Sequence, residues 1–316
     1  MDSVVSKYAS DIISRSDYSF IFIMSEPKHE SSVIETPPTP ENEKQSDHDA
    51  ANQKLFDALE EPQNIRLIVQ EAIILAGGAA AILLQVAEPG VGKGVDNHSN
   101  FDYRPMDRLR TTMTYVYCMA FGSREEKVAV TEMVHRAHAP VRGQGYSADD
   151  PELQLWVAAT LYAVGTDIYE RVFGPLTEEA SEKIYSEYAV LAVSLRVKPG
   201  MWPPSRKAFW EYWDNKVATL EVTDNARNVA KDLLYNKRLP LYIRAVIPLV
   251  RITTAEMLPQ RIREAYGMKS TKARRGVYGV TLGFTKATYP CLPKIVRTYP
   301  VRYYLNDMRK RLRSMA

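Results

Sequence analysis

Cysteine is scarce in this chain: 316 residues hold only Cys118 and Cys291. That excludes a disulfide-stapled scaffold and a cysteine-rich zinc module. Histidine is nearly as rare, with five in all, so a site built on imidazole has few candidates. Long apolar runs are missing as well. The most apolar stretch, Ala72–Leu84, has 13 residues, against roughly 20 needed to span a bilayer. Its Gly77-Gly78 pair marks a point of close approach within a buried core helix. No secretory signal is legible: Met1–Ser16 is polar, and the run Phe20–Met24 is too short for an apolar export segment. The expectation is an intracellular protein with reduced thiols, in which the sequon at Asn97-His98-Ser99 carries no sugar. An excess of one charge is absent too. The net charge of +3, from 41 Lys+Arg against 38 Asp+Glu, excludes a strongly basic nucleic-acid binder.

Apolar residues are plentiful at 45%, enough for a sizeable core. Charge is distributed unevenly. Residues 1–50 carry ten acidic and four basic side chains, with Pro37–Pro40 among many Ser, Glu and Asp. This composition predicts a disordered acidic tail over 1–51, followed by one helical domain over 52–316. Residues 261–316 carry fourteen basic and two acidic side chains, interleaved with Tyr278, Phe284, Tyr289, Tyr299, Tyr303 and Tyr304. The plain reading is a solvated helix face with a basic tail. The sharper one is peripheral contact with anionic lipid headgroups. No nucleic-acid motif accompanies the charge.

From residue 52 onward the pattern is almost wholly helical. Pro105 opens a helix ended by Gly122, and Ser123–Glu126 forms a capping box for the next, which stops at Pro140. Asp150-Pro151 starts a third helix, through Phe173 to Gly174-Pro175. Thr177 starts a fourth ending near Arg196, and Ser205 caps another. No alternating strands and no hairpin between them are visible. The fold class is all-α, one domain of roughly nine or ten helices.

Gly90-Val-Gly92-Lys93-Gly94 resembles a phosphate loop but lacks the required spacing, with Ala87 and Gly94 at the decisive positions. It reads as a tight turn between helices. Glu132-Met-Val-His135 has di-iron spacing, yet its only counterpart, Glu26–His29, falls in the acidic tail. No serine-nucleophile elbow or placed cysteine appears. His98, His135 and His138 remain. Val130, Met133, Val134, Ala137 and Val141 share one helical side, with His138 at its border and His135 pointing away. His138 is therefore the imidazole expected to face an interior, either as a hydrogen-bonded core residue or as an axial ligand to haem iron. Arg108 and Thr112 lie at i,i+4, either as a surface arginine above a threonine or as a polar pair anchoring a carboxylate. Asp149, Asp150 and Glu152 complement a helix N-terminus.

Three stretches resemble the family of the latex-clearing rubber oxygenases and the fungal endoplasmic-reticulum-bound oxygenase of mycophenolic acid biosynthesis. They are the segment from Leu75 to Leu109 (glycine turn, LLQ-x-A-x-P, His98-Ser99 and the Arg-Leu helix), Arg108–Gly143 (Arg-x-x-x-Thr, Phe121-Gly122, His138-Ala-Pro-Val-Arg-Gly143), and Tyr146–Leu161. Weaker similarity follows at Leu258–Arg263 and Pro290–Tyr304. The resemblance implies a globin-like helical fold holding haem b, and oxidative cleavage of an isoprenoid C=C bond by O₂. It implies His138 as the proximal iron ligand, Arg108 and Thr112 as the motif pair near the haem, and His98 in the pocket. Thr111 stands where the rubber-cleaving members carry a lysine, which points away from rubber as substrate.

The reading is a haem-dependent oxygenase of a hydrophobic small molecule, prenylated ones included, in specialised metabolism. Its pocket is expected to be lined by helices such as 65–87 and 151–173, and its location to be the cytoplasm or peripherally the endoplasmic-reticulum membrane. The alternative is a non-catalytic helical protein that binds a lipid or partner, with Phe209–Trp213 lining its cavity.

Overall fold

Helix starts fall where local chemistry provides a cap. The computed structural model describes residues 61–98, 105–198, 200–237, 239 and 241–315, so the acidic tail lies outside the described residues. The helices are α1 (Ile65–Val69), a 3₁₀ turn (Ala72–Gly77), α2 (Gly78–Val86), α3 (Pro89–His98), α4 (Pro105–Phe121), α5 (Arg124–His138), α6 (Pro151–Phe173), α7 (Glu178–Tyr188) and α8 (Val190–Val193). They continue with α9 (Arg206–Thr219), α10 (Asp224–Tyr235), α11 (Leu241–Met257), α12 (Gln260–Ala265), α13 (Lys272–Thr288), a 3₁₀ turn (Tyr289–Cys291), α14 (Lys294–Arg297) and α15 (Tyr299–Met315). The all-α expectation holds. Predicted caps at Ser123, Asp150, Thr177 and Ser205 each accept a backbone N–H from the first turn of their helix. At Ser123 the Glu126 side chain reciprocates, completing the capping box.

Three local expectations change. First, Ala72–Leu84 is not one helix. It starts as a 3₁₀ turn and becomes α-helical only at Gly78, because Gly77 sits against α6: a Cβ there would lie 2.4 Å from Ile168 Cδ1 and 2.6 Å from Val164 Cγ1. The element then bends by 109° into α3, and no single helix among the described residues is long and apolar enough to cross a membrane. Second, the glycines at 90, 92 and 94 lie inside α3 rather than in a turn. Added side-chain atoms would meet Leu153 Cδ1 at 2.8 Å, the Val86 carbonyl oxygen at 2.6 Å and Val141 Cγ1 at 3.4 Å. The glycines let one helix approach three neighbours at once. Third, the helix after Thr177 breaks at Ala189, and a two-residue antiparallel ladder, β1 (Arg142–Gly143) with β2 (Tyr146–Ser147), follows α5. Such breaks make the helices shorter and more numerous than expected.

The core sits around α6, which is buried along nearly its whole length and packs on α1, α2, α8 and α13. Buried polar groups there are matched. Trp156 Nε1 donates to the Leu84 carbonyl at 2.9 Å, and Gln85 Nε2 donates to Thr160 Oγ1 at 2.9 Å. Phe209 fills the space between Tyr162, Tyr185 and Trp202, with ring centroids 4.8–5.9 Å away. The aromatic segment Phe209–Trp213 is therefore packed against core rings, not arrayed around a cavity. The C-terminal helices are fastened to this body by the buried Glu71. Its carboxylate accepts from Arg297 Nη1 at 2.7 Å and from Tyr289 Oη at 3.1 Å.

Candidate functional site

The chain runs from α4 into α5 through only Gly122 and Ser123, and the two helices pack on each other. His138 is the last residue of α5. The ladder that follows folds back against α3, in register Arg142 with Ser147 and Gly143 with Tyr146, and Gly145 takes φ +79° to close it. Tyr146 then joins the two motif segments. Its hydroxyl shares a 3.1 Å hydrogen bond with His98 Nε2 and accepts from Asn97 Nδ2 at 3.3 Å. Val141, whose N–H donates to the His138 carbonyl at 2.8 Å, rests beside Gly94. The end of α3 and the segment after His138 thus form one unit. His98 is exposed within it and is held by Tyr146.

The interior-facing side of α5 is wider than the expected one: Val130 is buried and Met133, Val134 and Val141 are half-buried, as expected. Ala137 is exposed, whereas Lys127 and Val130 are fully buried and Thr131, Val134, His135 and His138 are half-buried. Thr131, His135 and His138 follow one another at i,i+4,i+7, so they share a face. Thr131 Oγ1, His135 Nε2 and His138 Nδ1 are all closed off from solvent. His135 therefore lies on the enclosed face with His138 and does not point away from it. Thr131 Oγ1 has no hydrogen-bond partner among the described residues, and neither does the enclosed Asp149 Oδ1 beyond the ladder. An unmatched buried polar atom costs about 1–3 kcal/mol, so such atoms call for a ligand or ordered water. The signal for this face was present as the polar series Lys127, Thr131, His135, His138, spaced 4, 4 and 3 apart. An apolar-face search passes over it.

On α4, Thr112 is half-buried and Thr111 exposed, while the side chain of Arg108 lies outside the described residues. The next arginine, Arg110, is engaged elsewhere, its Nε donating to Asp307 Oδ2 of α15 at 2.9 Å. Burial acts to raise the Asp307 carboxyl, but Arg110 and Arg311 outweigh it and hold it below the ordinary value. Deeper in α4, Tyr115 Oη donates to the Leu191 carbonyl at 2.8 Å, and burial raises its pKa. Burial, with Glu126 nearby, pushes the Cys118 thiol up to about 12, which leaves it inert as a nucleophile.

Where residues 65–87 meet 151–173, Gly77 packs closely against Val164 and Ile168. Among the described residues no three His, Cys, Asp or Glu side chains converge as a metal-binding set. What α5 offers is imidazole in the last turn of a helix, on the same face as the enclosed Thr131 hydroxyl.

Two relatives are each 32% identical over 245 residues, covering 74% of this chain and 96% of the relative: the uncharacterized proteins Mb2261 of Mycobacterium bovis and Rv2237 of Mycobacterium tuberculosis. No solved structure matches the chain significantly. Residues 65–287 match the catalytic domain described as ER-bound oxygenase mpaB/B'/Rubber oxygenase, a span that holds α1 to α12, nearly all of α13, and the whole polar face of α5. The chain belongs to this oxygenase family.

Proposed function

We propose that this oxygenase-family protein is haem-dependent, with His138 as the residue that would hold the iron, and that it acts on a hydrophobic small molecule such as an isoprenoid or prenyl C=C compound. The observation that carries the reading is the enclosed polar face of α5, ending in His138, within a chain of this family. The residues suit the group. An axial ligand needs one neutral imidazole, and its second ring nitrogen must be shielded or hydrogen-bonded to fix the tautomer. His138 has Nδ1 enclosed, and Thr131 supplies an enclosed hydroxyl on the same face.

Haem, when bound, supplies the O₂ chemistry. The protein's part is ligation, orientation and exclusion of water. His138 would hold the iron. Arg108, on the first turn of α4, would engage a propionate carboxylate, for which a guanidinium offers two parallel donors. Thr112, one turn on, would add a hydroxyl donor. His98 is reserved for a pocket role, with its ring fixed by Tyr146. Thr111 puts a neutral, exposed hydroxyl where the rubber-cleaving members carry a lysine, which argues against rubber as the substrate.

The test is the absorption spectrum and pyridine haemochrome content of protein purified from haem-supplemented cells. Wild type should carry about one haem per chain, with a Soret band. His138→Ala should lose it, and His135→Ala should keep it. Helical wild-type protein without haem, or His138→Ala with unchanged haem, overturns the assignment. Colourless protein that extracts with bound lipid would instead support a binding role.

A further inference from the structure

We infer that the C-terminal helices form a docking face for an anionic lipid surface, on which the protein lies without crossing it. Helix α13 packs on α11 and α6, yet none of its residues is buried. Its inner side is marked by the half-buried Tyr278, Thr281, Leu282 and Thr285. The opposite side carries Ala273, Gly276, Val277, Val280, Phe284 and Ala287, spaced 3 and 4 apart along one stripe. Val280 is 75% exposed and Phe284 68%. A Cβ added at Gly276, Gly279 or Gly283 would meet nothing within 4 Å, so no other part of the described chain covers this side. From Ala273 to Ala287 the stripe runs about 20 Å. The chain then continues through exposed Leu292, Ile295, Val296 and Tyr299. An uncovered apolar surface of this kind marks an interaction site.

Charge identifies the occupant. Between residues 265 and 306 there are eight Lys and Arg and no Asp or Glu. By helical phase Lys272, Arg275 and Lys286 flank one edge of the α13 stripe and Arg274 the other. Arg274 and Arg275 donate to the Lys269 and Ser270 carbonyls, and neither has a carboxylate partner among the described residues. A second copy docked face to face would set these cations against themselves, which disfavours self-association. The stripe is a convex ridge between cations, the arrangement of helices that rest in the headgroup region with their apolar side down. This inference does not rest on the haem assignment.

The experiment is co-sedimentation of the full chain with vesicles of phosphatidylcholine alone or with about one third phosphatidylserine. The protein should pellet with the anionic vesicles, less so as salt rises, and bind neutral ones about tenfold or more weakly. Val280→Glu with Phe284→Glu should abolish pelleting while far-ultraviolet circular dichroism stays unchanged, since both side chains are exposed. Lys272→Gln with Arg275→Gln and Lys286→Gln should weaken it by about a hundredfold at most. Wild type that stays in the supernatant with anionic vesicles, or a double-Glu variant that binds like wild type, overturns the proposal. A dimer by sedimentation velocity that the double-Glu variant dissolves, without vesicle binding, would assign the face to a second copy instead.

Discussion

Gly77 allows the packing at the centre of the fold to be tested by the sign of one substitution. Its backbone, φ −88° and ψ −6°, is open to any residue. Were there room, Gly77→Ala would stabilise the protein by about 0.4–1 kcal/mol, because alanine restricts the unfolded chain. The structure leaves no room, with the new methyl 2.4 Å from Ile168 Cδ1 and 2.6 Å from Val164 Cγ1. The isoleucine tip can move, but a valine in a helix has essentially one side-chain conformation, so the clash must displace backbone. Overpacking of this kind costs about 1–3 kcal/mol. The net effect should be destabilisation by about 1–2 kcal/mol, read as a lower urea midpoint at unchanged slope. Combining Gly77→Ala with Val164→Ala and Ile168→Val should recover part of that loss, with a favourable coupling of about 0.5–3 kcal/mol relative to the separate changes. A stabilised Gly77→Ala protein, or strictly additive behaviour in the combination, would refute the close approach of the 3₁₀ turn to α6.

Two further outcomes follow from electrostatics and burial. Arg309 Nε donates to Glu126 Oε1 at 2.6 Å, and this bond holds the Glu126 carboxyl below its ordinary 4.5 against the opposing effect of burial. A depressed carboxyl contributes stability that is present above 4.5 and lost as pH falls through the folded value. Arg309→Gln should therefore be less stable than wild type at neutral pH, by under about 1 kcal/mol given the half-exposed arginine, and indistinguishable from it in strong acid; an equal deficit at both pH values in urea titrations would contradict this. In native protein Ellman's reagent should modify the exposed Cys291 quickly and the buried Cys118 only after denaturation, and two fast thiols would show that α4 is not sealed.

Much of the fold was legible because capping is local. Ser123, Asp150, Thr177 and Ser205 announce their helices through the side-chain oxygen at the first turn, and the structure puts a backbone bond on each. What could not be read depends on partners distant in sequence. The break at Gly77 is set by Val164 and Ile168. The helical course of Gly90–Gly94 is fixed by contacts to Leu153, Val86 and Val141, whereas glycine on its own predicts a turn. The expected tight turn and the expected single long helix failed for the same reason: glycine marks close approach as well as chain reversal.

The candidate site was half legible, and the reason bears on function. Searching α5 for its apolar face selects Val130, Met133, Val134, Ala137 and Val141; four of these are buried or half-buried, but Ala137 is exposed and the polar Lys127 is fully buried. A helix that served only for packing would place aliphatic side chains where Lys127, Thr131, His135 and His138 stand, since each polar group enclosed there adds a desolvation cost of about 1–3 kcal/mol unless it is matched. Sequence rules built on packing will misjudge such a face, because they assume that whatever is buried is apolar. The departure falls at the face to which the haem proposal assigns its ligand. His138 closes a polar series as well as bordering an apolar one, and it shares its half-buried face with His135. The haem contents of the His138→Ala and His135→Ala proteins separate the two residues of that series, since ligation requires one of them and packing would spare both.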